Sequence, residues 1–106
     1  MMTDSDRDIL ETFSRQLREQ IPGAGVYAFG SRVSGTAETD SDLDVCVVVP
    51  HLDHAVRDTI REVAWQVGFD RGVLISTVKF TEQAFRHGAV ASSPLVRTIM
   101  AEGIAA

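Results

Sequence analysis

The run Asp42-Leu43-Asp44-Val45-Cys46-Val47-Val48-Val49, closed by Pro50, constrains this chain more than any other stretch. Beyond Asp44 every position is apolar. A strand with no polar face has to be covered on both sides, so this one belongs in the centre of a sheet. The other segments are expected to supply the cover.

The flanking segments read as helices and shorter strands. Ile9, Leu10, Phe13 and Leu17 recur at helical spacing between charged and amide residues, with Thr3 and Ser5 as alternative N-caps and a stop before Pro22-Gly23. Val26 to Phe29 is a short apolar strand that ends at Gly30. After Pro50 a second amphipathic helix carries Val56, Ile60, Val63 and Val67, with Gly68 as its expected terminator. Val73 to Phe80 reads as a third strand, and Thr81 as the cap of a short helix. Gly88 to Ser92 reads as loop. Ser93-Pro94 opens a last helix whose face is Leu95, Val96, Ile99 and Met100. About a dozen residues join the first two strands. That is too many for a tight hairpin and barely enough for a parallel crossover.

The chain's 106 residues fit one domain. Ten basic against fifteen acidic side chains give a net charge of −5. Duplex nucleic acid is a poor match for that balance, because its binding rests on clustered Lys and Arg. A nucleotide is compatible, since a metal held on carboxylates can neutralise its phosphates. The single cysteine, Cys46, has no intramolecular partner, which points to a reducing compartment. No leader pattern and no apolar run near ~20 residues is present, so a soluble, cytoplasmic protein without membrane attachment is expected.

Two features carry chemistry. At Gly30-Ser31 a phosphate can approach a backbone that has no side chain, and the serine adds a hydroxyl and an amide as donors. Taken alone, a strand ending in Gly-Ser is an ordinary turn. Asp42 and Asp44 lie two apart on an extended segment, so their carboxylates fall on one face. Paired ionised carboxylates repel unless something positive sits between them, which points to a divalent metal. The plain alternative puts both in the preceding loop, one of them capping a turn. Together, Gly-Ser, ten intervening residues (32 to 41) and Asp-Leu-Asp-Val place a phosphate cradle and a metal site on adjacent strand ends.

Phe29-Gly30-Ser31-Arg32-Val33-Ser34-Gly35-Thr36-Ala37 through Ser41-Asp42-Leu43-Asp44-Val45 resembles the signature of the polymerase-beta-type nucleotidyltransferase superfamily, and above all its minimal, antitoxin-like members. The tail from Pro94-Leu95 to Glu102-Gly103 is similar as well. The resemblance implies an α/β (α+β) nucleotidyltransferase fold, a small mixed sheet flanked by helices, with residues 1–106 as one such domain. It implies Mg2+ as cofactor and transfer of a nucleoside monophosphate from a nucleoside triphosphate, ATP foremost, to a hydroxyl. Asp42 and Asp44 would be the catalytic metal ligands. Gly30 and Ser31 would hold the terminal phosphates, with Arg32 assisting. A helical partner ribonuclease of the HEPN type, adenylylated on a tyrosine, is the implied acceptor, and an oligomer the implied state.

The third strand departs from the pattern. Active members carry another carboxylate there, whereas Val73 to Phe80 holds none. Ser76 or Thr77 falls near the expected position, and Asp70 and Glu82 are the nearest acids. A domain that binds a nucleotide or a partner without catalysis is therefore the competing expectation. Cys46 shares strand parity with the aspartates but reads as a buried small hydrophobe. His51, His54 and His87 read as surface residues, Lys79 as an exposed strand position, and Trp65 as either core rim or interface.

Overall fold

The computed structural model describes residues 2–35 and 41–106. Helix α1 (Asp4–Gln20) begins at Thr3, whose hydroxyl accepts from the Asp6 amide, so Thr3 rather than Ser5 is the cap. Its apolar stripe is buried as the spacing predicts. Strand β1 (Gly25–Phe29) leads into a single helical turn, α2 (Ser31–Ser34). Strand β2 (Leu43–Val49) follows, then α3 (His54–Arg71), β3 (Ile75–Thr81), α4 (Glu82–His87), α5 (Pro94–Glu102) and a two-residue strand β4 (Ile104–Ala105). Thr81 and Ser93 cap α4 and α5 as expected. The stretch read as loop before α5 contains a 3-10 turn over Ala89–Ser92.

The described residues form a four-stranded sheet in the order β3-β2-β1-β4. β1 runs antiparallel to both β2 and β4, and β2 runs parallel to β3. The dozen-residue connection is thus an antiparallel link with a helical turn in it, which leaves Phe29 opposite Asp44. The sequence reading has no β4, because two residues carry no periodicity.

β2 is buried along both faces, as an all-apolar strand requires. Leu43, Val45, Val47 and Val49 face a core shared with Phe13 and Leu17 of α1 and Ile60, Val63 and Val67 of α3. Cys46 and Val48 face a smaller cluster with Phe85 of α4 and Val96 and Ile99 of α5. Tyr27 and Phe80 complete that second layer around the Phe85 ring, each with a centroid separation of 5.8 Å. Leu95 and Met100 are exposed, so the buried face of α5 is narrower than its apolar composition suggests.

Helix α3 does not stop at Gly68. It continues to Arg71, and Gly72 ends it at φ 69°, the left-handed region that suits glycine. Gly68 is buried for a different reason: a Cβ there would sit 2.5 Å from the Val73 carbonyl oxygen, where the chain turns back toward β3. Helix propensity alone would make Gly68→Ala stabilising by about 1 kcal/mol. The backbone clash reverses the sign, and a loss of about 1–3 kcal/mol is expected in urea denaturation, as for other overpacked sites.

Candidate functional site

The site forms where β1 ends and β2 begins. Gly30 leaves β1 at φ 81°, a conformation that favours glycine, and lies against the Asp44 carboxylate. A Cβ on Gly30 would come within 2.3 Å of Asp44 Oδ2, so a side chain here would displace the carboxylate as well as strain the backbone. The Gly30 carbonyl then accepts from the Val33 and Ser34 amides and starts α2, which Gly35 closes at φ 83°. In a helix's first turn the leading amides have no intrahelical acceptor, which leaves those of Ser31 and Arg32 for other partners.

Asp44 lies on the α4/α5 side of β2, sharing parity with Cys46, and Asp42 sits two residues earlier in the extended lead-in to the strand. Burial raises the Asp44 carboxyl above its ordinary value, and the charge of Asp42 raises it further. Among the described residues no basic side chain pairs with either aspartate. The structure therefore brings Gly30, Ser31, Asp42 and Asp44 together as the sequence suggests. This close, unneutralised carboxylate pair beside an open glycine backbone is a donor set suited to a hard divalent cation such as Mg2+.

Arg32 is placed differently. Its Nη1 donates to Asp6 Oδ1 at 2.6 Å and its Nε to the Ser41 carbonyl at 3.0 Å, with Nη2 donating to the same carbonyl. The guanidinium is turned into the protein, and its side chain and that of Asp6 are only 15% and 8% exposed. These internal contacts engage all three guanidinium nitrogens and leave two of the five N–H donors for the phosphate-assisting role that the resemblance implies. Asp6 was missed from sequence because it reads only as the N3 residue of a capped helix. The Ser41 hydroxyl oxygen is buried without a hydrogen-bond partner among the described residues, an orphan directly before Asp42.

No described acid joins the pair. Among the described residues no group of three or more His, Cys, Asp or Glu is positioned to hold a metal. Ser76 stands beside Asp44 in the parallel ladder. Thr77 pairs with Val45 and faces the opposite layer. Asp70 is exposed on α3, which packs on that opposite layer. Glu82 starts α4 beyond the far end of β3, about 20 Å along the strand from Ser76 at ~3.3 Å per residue.

The remaining candidates fall away from the site. Cys46 is fully buried, and burial pushes its thiol up to about 12. His51, His54 and His87 are exposed. Lys79 is half-buried on the α3 side, where burial and the charges of Arg57 and Arg61 lower its pKa. Trp65 stacks on Phe69 at 5.2 Å.

Comparison with known proteins agrees with this geometry. The model of the nucleotidyltransferase domain family matches residues 10–104, and the chain belongs to that family. It is 42% identical over 55 residues to a Haemophilus influenzae protein described as "Probable protein adenylyltransferase MntA". That match takes in 51% of this chain and 46% of the relative, so the chain spans about half the relative's length. A toxin-antitoxin crystal structure with AMP-PNP superposes with a TM-score of 0.64 at 24% identity, covering 90% of this chain and 69% of that one. A Shewanella oneidensis complex of a tri-AMPylated HEPN toxin with its MNT antitoxin gives 0.57 at 19% identity, covering 94% and 70%. These likenesses establish the nucleotidyltransferase fold. No helix among the described residues is long and apolar enough to cross a membrane.

The raised Asp44 carboxyl has a stability consequence with a definite sign. An acid whose folded-state pKa lies above its unfolded value holds its proton more tightly when folded, so ionisation weakens the fold as pH rises. In metal-free protein Asp44→Asn should melt higher than wild type at pH 7. The gap should close as the pH falls below the ordinary value of 3.8. Added Mg2+ should reverse the order at pH 7, and thermal melts across pH read both effects.

Proposed function

We propose that residues 1–106 act as one nucleotidyltransferase domain that moves a nucleoside monophosphate from a nucleoside triphosphate, ATP foremost, to a hydroxyl on a protein partner. The observation that carries this reading is the contact of Gly30 with Asp44. It joins a backbone open to phosphate to a carboxylate pair that calls for a cation. Asp42 and Asp44 would hold Mg2+, which when bound supplies charge neutralisation at the triphosphate and the leaving pyrophosphate. The Gly30-Ser31 backbone and the Ser31 hydroxyl bind and orient the phosphates, whereas the Ser76 hydroxyl beside Asp44 is able to donate a hydrogen bond but not to take up a proton near neutral pH.

The acceptor class follows from the relatives. One is described as a protein adenylyltransferase and another is bound to an AMPylated HEPN toxin. A HEPN-type protein is accordingly the proposed partner. The paired exposure of Trp65 (64%) and Phe69 (73%), with Leu74 (65%) close by, supports docking of such a protein on the α3–β3 side. The Leu74 carbonyl accepts from the Leu43 amide, so this apolar face borders the strand end that carries Asp44.

A second reading, binding without turnover, draws support from Ser76 standing where a third acid is expected. General-base help is worth roughly 10²–10⁴ in rate, so the isolated chain should be slow. With Mg2+ and ATP labelled at the α-phosphate, a partner protein should acquire label, whereas γ-labelled ATP should give none. Asp44→Ala should abolish the transfer and Ser76→Asp should raise it tenfold or more. Magnesium-dependent ATP binding in calorimetry with no transfer to any partner would select the second reading. Equal binding by wild type and the Asp42→Ala, Asp44→Ala double variant would remove both.

A further inference from the structure

Arg32 and Ser41 are the first and last of the ten residues between Gly30-Ser31 and Asp42. The Arg32 guanidinium grips the Ser41 carbonyl with two of its nitrogens and Asp6 of α1 with the third. We infer that Asp6 and Arg32 form a positioning clamp that fixes Asp42 relative to Gly30-Ser31 by tying Ser41 to α2 and α1.

Three observations converge on it. First, Arg32 belongs to the same helical turn as Ser31, so any shift of the phosphate-side backbone is passed through one guanidinium to the residue before Asp42. Second, the Ser41 hydroxyl makes no hydrogen bond among the described residues, and its carbonyl is instead the anchoring atom. Third, Asp6 is buried in the first turn of α1, where it meets the Arg32 charge and holds the planar fork in one orientation. Asp42 lies outside the β1–β2 ladder, whose pairing ends at Phe29 and Asp44. The sheet therefore fixes Leu43 and Asp44, Leu43 through its amide to the Leu74 carbonyl, and the clamp holds Asp42 from its other side at Ser41. Residues that orient a metal ligand in this way typically change metal affinity 10–100-fold when altered.

The inference rests on the proposed metal-nucleotide site, and the test separates the two. Arg32→Lys keeps a positive charge for Asp6 but lacks the fork that reaches both partners. Asp6→Asn keeps the shape and removes the charge. For wild type and both variants, Mn2+ binding is read by electron paramagnetic resonance with and without ATP, amide hydrogen exchange over residues 41–44 by NMR, and folding by thermal melts. The clamp predicts Mn2+ affinity lowered about tenfold or more, with faster exchange at Asp42 and an unchanged rate at Leu43, whose amide is held by the Leu74 carbonyl. Exchange at Val45 to Val49 should stay at the wild-type rate in both variants. Wild-type Mn2+ affinity and exchange at Asp42 in two folded variants would overturn it, as would exchange accelerated equally through β2. If wild type itself binds no Mn2+ while exchange at Asp42 still accelerates selectively, the clamp stands and the metal-nucleotide reading falls.

Discussion

The close approach of Gly30 to the Asp44 carboxylate is the constraint around which the rest of this fold is arranged. An added Cβ would stand 2.3 Å from the carboxylate oxygen and at a positive φ, so the residue that follows β1 is suited to glycine alone unless Asp44 moves. That conformation turns the chain directly into α2, whose amides then line the space beside the carboxylates. Antiparallel pairing of β1 with β2 puts Phe29 across from Asp44 and brings Gly30 within reach. The two hydrophobic layers hold this pairing in place, one built from α1 and α3, the other from α4 and α5.

Charge is distributed unevenly over that frame. The carboxylate pair is left without a basic partner among the described residues, and folding raises the cost of ionising Asp44. One residue after Ser31, the arginine at position 32 turns inward to Asp6 and the Ser41 carbonyl. Side chains that seem alike in sequence thus stand in opposite settings: Asp6 is buried and neutralised by an arginine, whereas Asp42 and Asp44 have no basic partner among the described residues. Electrostatic repulsion tolerated at one strand end and avoided elsewhere is the physical mark of a site kept for a ligand.

Much of this was legible beforehand. The all-apolar β2 run required cover on both faces, and the helical spacing of Ile9, Leu10, Phe13 and Leu17 identified part of that cover. Gly30-Ser31 and Asp42/Asp44 stood out because glycine and paired carboxylates are costly unless used. What could not be read depended on contacts between distant segments. Gly68 looked like a helix end because its burial against Val73 depends on how the chain returns to β3. Leu95 and Met100 looked like core because composition does not tell which apolar residues of a short helix face inward. The Arg32–Asp6 pair spans 26 residues and two elements, and no local pattern announces it.

Cys46 gives the molecule a further property. It is the only thiol, it lies at the centre of β2, and burial holds it protonated far above physiological pH. A protonated, enclosed sulfur is a poor nucleophile, so oxidants and alkylating reagents reach it only when the α4/α5 layer parts from the sheet. Its modification rate therefore counts excursions of that one layer, a built-in clock for breathing motions that leaves the charged end of the strand chemically untouched.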